Sequence, residues 1–228
     1  AGWTGSGYPS ARDELGRYTD NCSAQRADES QNWNSVVGSV RGLYRIDDSW
    51  SLFGGVSQAF RAPNLDDLSG NLTSLAGTTA LGSTDVSPEE FLTYELGLRH
   101  SSGNFSLQTA VFYTDISDVI TVVRASPLPG AATITTNGGD GYVFGVELEG
   151  AWSFHPRWTL TGFASWQEGR SETPAFIGGP IIERPMTRQL PLTGSLALRW
   201  TSESEKFWVE GRIFTASQED RINPADQA

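Results

Sequence analysis

The chain has 228 residues, 38% of them hydrophobic and 19% charged, with 25 glycines, 8 tryptophans and 11 phenylalanines, a mixture poor in helix formers and rich in strand formers. A net charge of −11 excludes a nucleic-acid partner, because phosphate binding needs a basic surface, and no apolar run reaches the roughly 18 residues of a membrane-crossing helix. The lone cysteine, Cys22, excludes an internal disulfide framework, and the start at Ala1 shows neither the basic nor the apolar region of a signal peptide.

In chain order, residues 1–32 read as a loop. The first alternating stretch is Trp33–Ile46, and Asp47, Asp48 and Ser49 turn it into the second, Trp50–Arg61. A long link rich in Gly, Ser, Thr and Asp, Ala62–Phe91, precedes the third stretch, where Leu92, Tyr94, Leu96 and Leu98 oppose Thr93, Glu95, Gly97 and Arg99. Ser101–Asn104 is a short turn into Phe105–Ile116, and Val119–Gly141 is again long. The alternation is clearest in Tyr142–Phe154: one face carries Tyr142, Phe144, Val146, Leu148 and Trp152, the other Glu147, Glu149 and small residues. His155-Pro156-Arg157 turns into Trp158–Gln167, the link Glu168–Gln189 is long, and Leu190–Thr201 and Lys206–Ala216 flank the short turn at Glu203-Ser204-Glu205. Residues 217–228 then begin another loop.

Eight alternating segments, each near the roughly 9–11 residues of a tilted membrane-crossing strand, predict an all-β antiparallel membrane wall. Short turns alternate with links longer than the roughly 15 residues a compact soluble domain tolerates, the rhythm of an outer-membrane barrel with short periplasmic turns and long extracellular loops. Trp50, Trp152, Phe154, Trp158, Trp200 and Phe207 lie close to the short turns, as an interfacial girdle requires. An even number of strands leaves both chain ends on the long-loop side, and eight strands alone would close into a barrel filled by side chains. The expectation is therefore a segment of a larger barrel. Two other readings compete: a passive porin-like barrel, and a soluble carbohydrate-binding β-sandwich, whose strands also alternate.

Four blocks then carry a family likeness. Phe60-Arg61-Ala62-Pro63, at the end of the second segment, resembles the "FRAP" box of TonB-dependent outer-membrane receptors. Thr93–Arg99, Ala110–Ile120 and Gly145–Glu149 resemble later blocks of that family in the same order. The resemblance implies a 22-stranded barrel closed by an N-terminal plug, in the bacterial outer membrane, importing a ferric siderophore or another scarce nutrient. It also implies energy from the TonB–ExbB–ExbD complex and contact with the protein's own plug and with outer-membrane lipid. The plug itself and the family's terminal strand have no counterpart in the sequence. Haem receptors of the family carry a histidine after the FRAP box, and Asn64–Ser87 has none, which disfavours haem.

The lumen-facing charges Arg41, Arg61, Glu95, Arg99, Glu147, Glu149, Arg199, Glu210 and Arg212 are too many for an apolar core. They read either as a polar wall contacting the plug and lining the ligand path, or as ion pairs within the wall. Asp66, Asp67, Asp85, Glu89 and Glu90 form an oxygen-rich loop set that could suit calcium but lacks EF-hand spacing, so a solvated loop surface is expected. Asn137-Gly138 is a hairpin-type signal, read as shaping the approach to the next strand. His100 and His155 read as interfacial residues rather than metal ligands. Glu147 and Glu149, about 7 Å apart on one strand face, have a glycosidase-like separation but belong to the lumen set. No nucleophile elbow is present, no catalytic role is assigned, and no cofactor is implied.

Overall fold

The computed structural model describes residues 31–69, 79–187 and 189–221, together with the short strands Ala11–Arg12, Tyr18–Thr19 and Asn71–Thr73. Cys22, most of the expected loop 1–32 and residues 222–228 lie outside the described residues. The chain divides into two units, Ala1–Asn34 and Ser35–Ala228. In the first, Ala11–Arg12 pairs antiparallel with Tyr18–Thr19.

The second unit is a wall of eight strands: β1 Ser39–Arg45, β2 Trp50–Arg61, β3 Glu89–Ser102, β4 Phe105–Ser117, β5 Gly141–His155, β6 Trp158–Pro174, β7 Thr193–Thr201 and β8 Trp208–Ala216. Each strand is hydrogen-bonded antiparallel to the next, so sequence order is also spatial order. Because period 2 sends successive side chains to opposite faces, residues directly opposite one another across the ladder share a face. One such row reads Gly42, Gly54, Leu96, Val111, Val146, Trp166; the next toward the short turns reads Tyr44, Leu52, Leu98, Thr109, Leu148, Ala164. On the other face a row reads Arg41, Gly55, Glu95, Phe112, Gly145, Gln167. The register keeps one face apolar and the other polar across the wall.

The apolar face has nothing packed on it. Leu96 is 54% exposed, Leu196 53% and Ile213 72%, and among the described residues no large side chain is fully buried. A sandwich would bury this face under a second sheet; a soluble chain rarely leaves so wide an apolar surface to water. The face is uncharged from Trp158 to Trp166 on β6 and from Leu92 to His100 on β3. Eight residues of strand span about 27 Å, comparable with the roughly 25 Å apolar band of outer-membrane barrels. The soluble-sandwich reading is overturned on this ground: the wall is one layer thick and its apolar face is a lipid face.

At the short-turn end, rings gather as expected. The Trp50 and His100 rings lie 4.4 Å apart, tilted at 42°, His100 and Phe105 5.6 Å apart, Trp152 and Phe154 5.4 Å, and Trp200 and Phe207 5.6 Å. The turns are tight. Asp47 accepts from the amides of Ser49 and Trp50 at 2.7 and 2.8 Å, an Asx-turn, while Gly103-Asn104 and Pro156-Arg157 suffice for the next two.

The long-loop end departs from expectation in several places. The third strand begins at Glu89 rather than Leu92, so Glu89 and Glu90 are strand residues. The sixth runs to Pro174, and Ile181–Pro185 folds back against it, with Gly178 at φ 73° in the connecting turn. This part of the expected link Glu168–Gln189 is an extended hairpin. The first and seventh strands are shorter than read, starting at Ser39 and Thr193. The remaining loops build their own sheet: Asn71–Thr73, Thr79–Leu81, Thr133–Asn137 and Ile120–Arg124 pair in that order. The middle pairing, Thr133 with Ala80 and Ile134 with Leu81, is parallel, which ties loop 62–88 to loop 118–140. The short helix Leu65–Ser69 starts because Asn64 caps the Asp67 amide and Asp67 returns the bond to the Asn64 amide, both at 2.9 Å, a reciprocal cap.

Candidate functional site: the polar face of the wall and the loop bases

All nine expected lumen residues lie on the polar face. Arg41 and Glu95 share the row given above. Arg99 stands directly opposite Gln108, which stands opposite Glu149, and that row continues through Phe163 and Ser195 to Phe214. Glu147 occupies the row between them, opposite Ala110 and Ser165. Arg199 faces Glu210 across β7 and β8, and Arg212 follows Glu210 on the same side.

Their partnerships divide the set. Glu210 receives Arg199 at 2.9 Å and Arg212 at 3.0 Å, and Arg212 also reaches the Ser195 hydroxyl at 3.4 Å. Arg199 lies 4.3 Å from the Trp208 ring centroid. Arg99 donates from Nε to the Gln108 side-chain oxygen Oε1 at 2.8 Å and sits 5.6 Å from the Phe53 ring centroid. By contrast Arg41, Glu95, Glu147 and Glu149 enter no ion pair among the described residues, where the polar-face pairs are those of Arg61 and Glu210. Three free carboxylates are thus grouped at mid-wall. Two adjoining recesses open on them: one of about 290 Å³ bordered by Glu95, Ala110, Glu147, Glu149 and Ser165, and one of about 480 Å³ where Glu149 meets Arg99, Thr161, Phe163 and Arg212.

Aromatic side chains on this polar face escaped the sequence reading. Phe53 lies over Gly97, and Phe112 over Gly145, each ring directly opposite its glycine. A Cβ at Gly145 would meet Phe112 Cζ and the Trp166 carbonyl oxygen, both at 2.6 Å. The glycines let the rings lie down against the backbone instead of projecting into the space the charges line. The usable signal was parity: Phe53, Phe112, Phe163 and Phe214 all fall on the charged side once the register is known.

The FRAP-like box forms a second focus. Phe60 points to the apolar face and Pro63 is buried. Arg61 donates from Nε to Glu89 at 2.6 Å and from Nη1 to Asp67 at 3.0 Å. The other Glu89 oxygen accepts the Ile120 amide at 2.7 Å, and Glu89 is 7% exposed. The expectation of a solvated acidic loop surface is therefore wrong for Asp67 and Glu89, which are spent on Arg61; Asp66, Asp85 and Glu90 are exposed. Asn137, as read, is not the corner of a hairpin. It ends the strand Thr133–Asn137, and its side chain accepts from the Ser87 amide at 2.8 Å and donates to the carbonyls of Ser87 and Asp118 at 3.0 and 2.7 Å. Gly138 and Gly139 then lead toward β5 as read. His100 bonds Ser102 at 3.2 Å, and His155 accepts the Arg157 amide at 3.2 Å.

A single-layer sheet with one lipid face, one charged face, an aromatic rim at its short turns and elaborated loops at the other end defines an outer-membrane β-barrel wall. Residues 8–227 match the family model described as TonB dependent receptor-like, beta-barrel. The pesticin receptor of Yersinia enterocolitica is 28% identical over 157 residues, covering 67% of this chain and 22% of that protein. The iron-regulated outer membrane virulence protein of Vibrio cholerae is 26% identical over 172 residues, 70% of this chain and 26% of that one. Among solved structures the copper transporter OprC superposes with a TM-score of 0.65 at 18% identity, over 82% of this chain and 27% of that one. The chain belongs to the TonB-dependent receptor family, as part of its β-barrel domain, and is an outer-membrane protein. It spans about a quarter of the length of these relatives.

Proposed function

We infer that this chain is one portion of a 22-stranded wall whose plug domain lies outside residues 1–228, with 1–32 and 217–228 belonging to extracellular loops. The whole receptor imports a ferric siderophore or a similarly scarce nutrient, driven through TonB, ExbB and ExbD, and carries out no chemistry on its cargo. The grouped free carboxylates Glu95, Glu147 and Glu149 are the observation that carries this reading. Ion pairing within the wall accounts for Arg199, Glu210 and Arg212 but leaves these three without a partner in the wall, as expected of residues that face the plug and the ligand path. Arg41 and Arg99 belong to the same path, while Arg61 holds the loop bases.

The test uses the intact receptor containing this chain, expressed in a host lacking its own receptors. Uptake of radiolabelled iron complexed by siderophores should require TonB. The triple change Glu95→Gln, Glu147→Gln, Glu149→Gln should leave surface binding intact and cut uptake at least tenfold. Uptake that persists without TonB would favour a passive pore.

A further inference from the structure

We propose that the lipid face carries a built seat for one acyl chain of a phospholipid in the periplasmic leaflet. The inference rests on membrane placement and on no feature of the transport reading.

The seat is an apolar groove of about 350 Å³ on the uncharged side of β5, β6 and β7. Its floor is backbone: Gly150 and Gly162 stand directly opposite one another, and Ala164 follows on β6. Its walls are Leu107, Leu148, Leu160 and Leu196, and Phe105 and Trp152 close it toward the short-turn rim. The row of Gly150 and Gly162 is flanked by the larger His100 and Leu107 on one side and Leu196 and Ile213 on the other, so a flat layer of lipid tails would leave this depression empty. An empty apolar groove forfeits the dispersion contacts of every atom lining it.

Position settles the occupant. The groove is continuous with the lipid-facing surface, no charged side chain lines it, and Gly150 lies five residues from the end of β5. That distance is about 16 Å along the strand and, at the roughly 40° tilt of barrel strands, about 12 Å of depth, within the periplasmic half of a hydrocarbon core of roughly 30 Å. A tail of the lipid in that leaflet reaches it with the headgroup at the level of the Trp152 and Phe105 rings. Those rings, though each meets one neighbouring ring, are 48% and 37% exposed and offer that exposed surface to the chain.

The test is a titration of the detergent-solubilised intact receptor with phosphatidylethanolamine carrying dibrominated acyl chains, followed by tryptophan emission. A seated chain gives saturable quenching at one lipid per protein, with a loss equal to one tryptophan's share and absent in Trp152→Phe. Ala164→Leu fills the floor from the lipid side and should weaken the saturating phase at least tenfold, with circular dichroism and heat-resistant gel mobility unchanged. If that variant fails to fold, unbrominated phosphatidylethanolamine serves instead and should reverse the quenching by competition. Quenching that rises linearly without saturation, survives Ala164→Leu, or is reversed only by lipid A would overturn the assignment.

Discussion

Replacing Glu89 by alanine tests the packing at the loop bases most sharply. The change removes the acceptor for Arg61 Nε at 2.6 Å and for the Ile120 amide at 2.7 Å, in a side chain 9% exposed. Ile120 is half-buried, and leaving its amide without an acceptor costs about 1–3 kcal/mol. Breaking a fully buried ion pair costs about 3–5 kcal/mol, but the Arg61 side chain is 40% exposed and keeps Asp67, so about 1 kcal/mol is the appropriate figure for that part. The sum, about 2–4 kcal/mol, falls on local opening of the loop bases rather than on the wall. Hydrogen exchange on the intact receptor should show the Ile120 amide exchanging about 30- to 1000-fold faster, with amides at mid-wall, such as Val111 and Val146, unaffected. Glu89→Gln, which keeps an acceptor, should fall between. An Ile120 amide within threefold of the wild-type rate in Glu89→Ala would refute the reasoning.

Leu96→Arg, at the centre of the lipid face, should destabilise insertion into vesicles by about 2–4 kcal/mol, read from urea unfolding in lipid. Glu95→Gln, one residue away on the polar face, should change it by less than about 0.5 kcal/mol. The hydrogen bonds that Arg221 donates hold the Glu219 carboxyl below the usual carboxylate range. A depressed folded-state value means the contact contributes fully above the unfolded value near pH 4.3 and is lost as pH falls through the folded one. The Arg221 amide, which donates to Glu219 at 2.9 Å, should therefore lose protection only below about pH 4, and loss near neutrality would contradict the pairing.

The wall was legible in the sequence because membrane burial enforces strict alternation. Where one face meets hydrocarbon, Leu92 to Leu98 and Tyr142 to Trp152 cannot slip register without placing Glu95 or Glu147 in lipid. Above the membrane neither face meets hydrocarbon and the constraint lapses, so Ser171, Glu172 and Thr173 continue β6 without any apolar pattern to announce it, even though Ser171 and Thr173 are buried. The loop sheet was invisible for a related reason: Thr79–Leu81 is three residues long and pairs in parallel with a distant loop. The partners of Arg61 were missed because Glu89 lies 28 residues away and is brought opposite by the β2–β3 register alone. Parity put the nine charges on one face, and the strand register keeps them together there. Which of them stay unpaired depended on cross-strand neighbours such as Gln108 and Ser195, and no local spacing encodes those.

The most direct test of a lipid-facing wall is a nitroxide scan of residues 92–99 in the intact receptor reconstituted in vesicles, reading collisions with oxygen and with a water-soluble nickel chelate. Positions 92, 94, 96 and 98 should favour oxygen, and 93, 95, 97 and 99 the nickel chelate, in strict alternation. Equal accessibility of both sets to the nickel chelate would contradict a membrane-spanning strand here, and with it the assignment of the apolar face to lipid.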